Sequence, residues 1–161
     1  MKQIAWLTFA LIALIVALPL AAQETPMTED ELIALVRSDL QKDKVAIIGA
    51  AMDFNAEEAG KFWPIYKEYE TALAKVGDAR LALIKDYAEN FVSMTDDKAT
   101  DLAHEAMKIE QQRFDLKKKC FEKLSAGVSP VTAARFLQVE NQINLLLDLQ
   151  IAQEIPLIEK P

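Results

Sequence analysis

The stretch FWPIYKEYETALAKVGDARLALIKDY, residues 62–87, indicates a long helix with one apolar seam. Its apolar residues alternate by four and three positions, and Arg80 stands where the seam skips a position. A second stretch, residues 102–120, has the same rhythm, with Arg113 at its skip. A period near 3.5 is typical of long helices that pack side by side at shallow angles. The two seams consist of Phe62, Tyr66, Tyr69, Leu73, Val76, Leu83 and Tyr87, and of Leu102, Ala106, Ile109, Leu116 and Cys120.

Capping residues indicate where the helices begin. Thr28, Asn55 and Thr95 each precede an acidic first turn, whose carboxylates suit the positive end of the helix dipole. Ser129-Pro130 is a capping residue followed by proline at the first helical position. Pro64 lies beyond the first turn of the second helix and is expected to kink or divide it. The helices are predicted over residues 29–52, 56–91, 96–125 and 130–154.

The order of these elements predicts the fold class. The short link at Val92–Met94 favours an antiparallel hairpin of the second and third helices. The fourth helix is apolar on more than one face, so we expect several neighbours or a partner chain to bury it. The sequence therefore predicts an all-α fold, an elongated four-helix protein with a long antiparallel helical hairpin.

The first 22 residues have the form of a secretory signal. Lys2 supplies the positive start, residues 4–18 are an apolar run, and small residues lead to Ala22. We expect cleavage after Ala22, which would release residues 23–161 as a single helical domain in the periplasm. The apolar run is near the lower length limit for a bilayer span, so the alternative is an uncleaved anchor.

Charge and cysteine content restrict the function. The net charge is −7 at pH 7, which argues against a nucleic-acid-binding protein because such proteins need a basic surface. Cys120 is the only cysteine, so no internal disulfide can form. We expect Cys120 to be a small buried residue; the alternative is pairing with another chain.

No catalytic motif or cofactor-binding motif is present, and we predict that the chain is not an enzyme. His104, the only histidine, precedes Cys120 by roughly 24 Å along one helix, too far for a thiolate–imidazole pair. His104 and Met107 are three positions apart and can share a face. They form a weak candidate for a metal site, since stable sites use three or four ligands.

A short repeat occurs at two predicted helix starts. Residues 54–62, FNAEEAGKF, and residues 128–136, VSPVTAARF, each contain an apolar residue, a cap, two small residues, a cation and Phe. Many amphipathic helices begin in a similar way. The pattern also resembles the LTXXQ motif of the Spy/CpxP family of periplasmic proteins, in a divergent form. The matching motif positions are Phe54, Asn55 and Glu58 in the first copy, and Val128, Ser129 and Thr132 in the second.

This resemblance implies a curved homodimer with ATP-independent chaperone activity or a role in envelope stress. The partners would then be unfolded proteins; the alternatives are a metal-responsive sensor and a structural module that pairs helices. The family's best-known chaperone has a basic client surface, whereas this chain is acidic. Four lysines on the third helix could form a local basic client surface, although a solvated helix face explains them equally. The candidate client-binding residues are Trp63, Lys117, Lys118, Lys119 and Lys123.

Overall fold

The computed structural model describes the backbone of residues 29–158 and the side chains of residues 40–158. The described part of the chain is all-helical, with four helices packed together, as predicted. The helices are α1 (Glu29–Met52), α2 (Ala56–Asn90), α3 (Asp96–Gly127) and α4 (Pro130–Glu154), and a 3-10 turn at Phe91–Ser93 follows α2. The predicted signal segment, residues 1–22, and the predicted cap at Thr28 lie outside the described residues. No helix within the described range is long and apolar enough to cross a membrane.

Three helices begin at side-chain caps. Asn55 Oδ1 accepts a hydrogen bond from the Glu58 N–H (2.9 Å), and Glu58 Oε2 accepts one from the Asn55 N–H (3.1 Å). Thr95 caps α3, and Ser129 caps α4 ahead of Pro130. These bonds satisfy N–H groups that the first helical turn leaves without a partner.

Pro64 was expected to kink or divide the second helix; it does not divide it, because α2 runs unbroken through Pro64 from Ala56 to Asn90. The carbonyl that loses its helical partner to a proline belongs to the residue four positions earlier, here Gly60. Gly60 and Pro64 are both exposed. Water can therefore bond to the Gly60 carbonyl, and glycine leaves the backbone free to relax around the proline ring.

α2 and α3 form the predicted antiparallel hairpin. Lys98 at the start of α3 pairs with Asp86 near the end of α2, with Nζ–Oδ1 at 2.6 Å. At the other end, Lys123 pairs with Glu68. The buried seam residues are Phe62, Tyr66, Tyr69, Val76, Leu102, Ile109 and Cys120, and the half-buried ones are Leu73, Leu83, Tyr87, Ala106 and Leu116.

α4 packs against α3, and α1 packs against α4. Together the four helices enclose an aromatic core around Phe62. Its ring lies 5.3 Å from that of Phe136 in an edge-on arrangement and 5.8 Å from that of Tyr66 in a stacked one. Such ring pairs add about 0.5–1.5 kcal/mol each beyond the area they bury. The rest of the core cluster is Ile48, Met52, Tyr69, Cys120, Leu124, Ala133 and Ile143.

Candidate functional site

A network of charged and hydroxyl groups crosses this core. Lys44 of α1 donates from Nζ to Glu70 Oε1 of α2 (2.8 Å) and to Glu140 Oε1 of α4 (3.1 Å). The same Glu140 oxygen accepts hydrogen bonds from Tyr69 Oη (3.0 Å) and Asn144 Nδ2 (3.1 Å). Glu140 is completely buried, and its second oxygen has no hydrogen-bond partner among the described residues. The network therefore joins α1, α2 and α4 through one buried carboxylate.

The hydroxyl groups of this network remain protonated. Burial, together with the negative charge of Glu140, raises the pKa of the Tyr69 phenol well above its ordinary value. Burial next to Glu70 does the same to the pKa of Tyr66, whose hydroxyl donates to Glu70 Oε1 (3.1 Å). Both phenols donate hydrogen bonds to carboxylates; the Tyr69–Glu140 bond joins α2 to α4, and the Tyr66–Glu70 bond lies within α2.

A second charged cluster lies farther along α2. Arg80 and Arg113, the two arginines at the seam skips, both donate hydrogen bonds to Asp148 of α4. Burial raises the pKa of Asp148, but the hydrogen bonds from Arg113 and Arg80 outweigh it and hold the pKa below its usual range. The same Asp148 contact raises the pKa of Arg113. One carboxylate thus ties the hairpin to α4.

Sequence reasoning missed both networks, although a signal for the first was present. Lys44, Ile48 and Met52 follow each other at four-residue spacing and are all buried. Glu140 similarly stands between Phe136 and Ile143 on the buried face of α4. A lysine on one apolar stripe and a glutamate on another are expected to pair, because neither charge is tolerated alone in a core.

The six motif positions have a structural role at two helix starts. Phe54 packs on Phe62, with ring centroids 4.5 Å apart, next to the Asn55–Glu58 capping box. In the second copy, Val128 packs against the core, and Ser129 Oγ accepts a hydrogen bond from the Thr132 N–H (3.0 Å). These contacts leave the motif residues occupied in capping and packing.

The α4 helix leaves one face uncovered. Leu145, Leu146 and Leu149 are 70%, 65% and 54% exposed. Lys117 of α3 donates to Asn141 of α4 (3.0 Å), and Leu145 follows Asn141 by one helical turn. Phe114 precedes Lys117 by one turn and is also exposed.

Because α3 and α4 run antiparallel, Phe114 and Leu145 lie on the same flank of the helix pair. We call Phe114, Leu145, Leu146 and Leu149 the apolar stripe.

The candidate lysines occupy different surroundings. Lys118 and Lys119 are exposed, whereas Lys117 bonds to Asn141 and Lys123 bonds to both oxygens of Glu68. Lys118 follows Phe114 by four positions and therefore stands beside the apolar stripe. The lysines thus do not form one uniform patch.

Trp63 is half-buried. Its ring lies 5.2 Å from that of Phe62 and 5.7 Å from that of Tyr66, edge-on in both cases. It also faces Gly49 of α1, where an added Cβ would lie 3.8 Å from the indole. Trp63 therefore joins α1 to the aromatic core and presents only part of its ring to solvent.

The candidate metal ligands, His104 and Met107, differ from Cys120 in their exposure to solvent. His104 and Met107 are exposed on α3, and the side chains of residues 40–158 contain no group of three His, Cys, Asp or Glu that could hold a metal ion. Near His104, the carboxylate of Glu105 pairs with Lys108. Cys120 is buried, as expected, and burial raises the pKa of its thiol to about 12. A thiol in this state is unreactive.

No family model, no curated protein and no solved structure matches this chain. Within the described residues, the two charged networks stabilise the helix assembly, and the apolar stripe is exposed.

Proposed function

We propose that the chain is a non-catalytic binding protein that holds apolar segments of unfolded proteins without ATP, as a divergent relative of the Spy/CpxP chaperones. The observation that carries this proposal is the apolar stripe. Contiguous exposed apolar side chains mark sites where other molecules bind. Lys118 beside Phe114 adds a positive charge that acidic segments of a client can approach, even though the chain as a whole is acidic.

Two further features support a binding role. The buried network and the Asp148 cluster fix the relative positions of the helices, so the stripe is presented on a rigid support rather than on a loop. Export to the periplasm, which the first 22 residues predict, would place the protein where ATP is absent. Binding by surface contact alone suits such a compartment.

Aggregation of a reduced, unfolding client protein tests the proposal. The purified protein at equimolar ratio should suppress light scattering by the client. The double variant Leu145→Gln/Leu149→Gln should reduce this suppression severalfold, because it removes apolar contact area from the stripe. Both positions are exposed, so the circular-dichroism spectrum should stay unchanged.

Leu157→Gln is the matched control, since Leu157 is 89% exposed outside the helices. It should suppress aggregation like the unaltered protein. Failure of the unaltered protein to suppress aggregation, or equal activity of the double variant, would contradict the proposal.

The second candidate function is a structural module in which the stripe pairs with a second copy of the chain, giving the expected homodimer. The exposure of Leu145, Leu146 and Leu149 favours it, because the same stripe on a second copy would bury these side chains. Light scattering decides between the two: a dimer that Leu145→Gln/Leu149→Gln converts to a monomer supports pairing through the stripe. A monomer at all concentrations contradicts both the pairing module and the expected dimer.

The metal-responsive alternative remains a prediction from His104 and Met107 alone. Calorimetric titration with Zn²⁺, Cu²⁺ and Ni²⁺ tests it, and the absence of a heat signal at micromolar protein concentration would remove it.

A further inference from the structure

A groove opens between α2, α3 and α4, beside the part of α1 that contains Leu40 and Lys44. It encloses a cavity of about 380 Å³, within the range of roughly 300–1,000 Å³ typical of small-molecule sites. Along α2 it extends from Glu70 to Ile84, roughly 21 Å at the helical rise. Its walls are mainly aliphatic, formed by Leu73, Val76, Ile84, Ile109, Leu147 and Ile151.

Gly77 lies in the wall of this groove. A Cβ at Gly77 would meet nothing within 4 Å, so the space in front of it is open. Glycine inside a helix costs about 1 kcal/mol relative to alanine. For Gly60, the other interior glycine of α2, the proline four positions later gives a reason. No proline follows Gly77 at that spacing, so the helix itself does not explain the glycine. A side chain at position 77 would enter the groove, and the glycine keeps this space open.

Charged side chains line the groove at two places along α2, near Glu70 and at Arg80. Lys44 and Glu70 pair with each other where the groove begins on α2. Arg80 lies ten residues later; its side chain is 29% exposed, and its guanidinium donates a single hydrogen bond among the described residues, to Asp148. A guanidinium has five N–H donors. Arg80 can therefore bind a further acceptor without leaving Asp148.

We propose that this groove binds a long-chain fatty acid, with the alkyl chain along the aliphatic walls and the carboxylate on those N–H groups of Arg80 that bond to no described residue. A carboxylate complements a guanidinium in charge and in geometry. This site is separate from the apolar stripe and does not depend on the proposed chaperone function.

The walls argue against a peptide as the occupant. An extended peptide brings backbone N–H and C=O groups that require partners wherever they are buried. Between Glu70 and Arg80 the α2 wall of the groove consists of Leu73, Ala74, Val76 and Gly77, which offer no side-chain partner, and the backbone groups of α2 bond within the helix. An alkyl chain has no such requirement and fills the same narrow space.

The test is a titration of the delipidated, purified protein with cis-parinaric acid, a fluorescent fatty acid, followed by displacement with palmitate. Gly77→Leu should weaken binding about tenfold or more, because its side chain occupies the groove. Ala88→Leu is the control: Ala88 is also exposed on α2 but lies outside the groove, and the variant should bind like the unaltered protein.

Arg80→Gln tests the headgroup contact independently. It should weaken palmitate about tenfold and leave hexadecanol, which has the same chain without the charge, nearly unchanged. The stripe variant Leu145→Gln/Leu149→Gln should retain palmitate binding, so failure here and failure of the chaperone proposal are distinguishable.

Three outcomes would overturn the inference. The first is that the unaltered protein fails to bind cis-parinaric acid. The second is that Gly77→Leu and Ala88→Leu weaken binding equally. The third is that an apolar peptide displaces the probe where palmitate does not. A fourth outcome, equal loss of palmitate and hexadecanol in Arg80→Gln, would refute the carboxylate contact.

Discussion

Replacing Lys44 with methionine should be among the most destabilising single changes in this protein. Lys44 neutralises Glu140, which is completely buried, and its own side chain is only 6% exposed. The bond to Glu70 is lost as well. Removing one partner of a buried ion pair costs about 3–5 kcal/mol, because the remaining charge is left without compensation. We expect a loss of this size in the free energy of unfolding.

A matched exposed pair provides the control. Lys61 and Glu57 of α2 are joined at 2.7 Å, close to the 2.8 Å between Lys44 and Glu70, but the Lys61 side chain is 52% exposed. Exposed pairs contribute about 0.2–1 kcal/mol. Lys61→Met should therefore change stability by less than about 1 kcal/mol, which separates the effect of burial from that of bond length.

A double variant tests the cause of the loss. Glu140→Gln removes the buried charge but keeps a carbonyl oxygen for the hydrogen bonds from Tyr69 and Asn144. Lys44→Met/Glu140→Gln should therefore be more stable than Lys44→Met alone, by at least about 1.5 kcal/mol if the uncompensated charge dominates.

Urea unfolding followed by helical circular dichroism measures all four proteins. A loss below about 1 kcal/mol in Lys44→Met, or no recovery in the double variant, would refute the reasoning.

Three further predictions concern single residues. Asn55→Ala removes the capping box of α2 and should cost about 1 kcal/mol of unfolding free energy in urea titrations, with Asn55→Asp as the conservative control. Asp148→Asn should cost about 1–3 kcal/mol, because it weakens charge-assisted bonds to Arg80 and Arg113. The folded pKa of Asp148 is depressed, so its contribution is present above the unfolded pKa of about 3.9 and is lost as pH falls through the folded value. Between pH 7 and pH 2.5 the free energy of unfolding should therefore fall less in Asp148→Asn than in the unaltered protein. The same pH profile in both proteins would contradict this. The pKa of Cys120 is raised to about 12, so its contribution is complete below the unfolded pKa of about 8.5 and is lost as pH rises toward the folded value. Stability should fall above pH 9 with a slope that Cys120→Ala reduces by up to about 1.4 kcal/mol per pH unit, and the folded thiol should not react with a thiol reagent at pH 8.

The helices could be predicted because their signals are short-range. The cap at Asn55 and its partner Glu58 are three residues apart, and so are Ser129 and Thr132. An apolar seam repeats within seven residues. Such patterns are complete within one or two helical turns, so the observed starts of α2 and α4 fall where the caps place them.

The candidate site was harder to predict because its bonds join distant residues. Lys44 and Glu140 are 96 residues apart, and Arg80 and Asp148 are 68 apart. The two arginines were visible as interruptions of the seams, but no local pattern identifies Asp148 as their shared partner. Whether Pro64 divides the helix could not be predicted for a related reason: its cost depends on the exposure of Gly60, which only the packed structure determines.

The connection between α1 and α4 has a consequence for biosynthesis. Arg135 donates two hydrogen bonds to the Ala51 carbonyl at the end of α1 (3.0 and 2.6 Å), and Ile48 is buried in the same core. The ribosome delivers α1 before these partners, so until α4 is made α1 has only its contacts with α2, such as Lys44 on Glu70 and Gly49 on Trp63.

The α2–α3 hairpin can form without this delay, because its two helices are consecutive in the chain and both precede α4. A nascent chain that ends before Pro130 should therefore leave α1 open to proteases while the hairpin resists them. Equal protection of both would show that α1 finds an earlier partner.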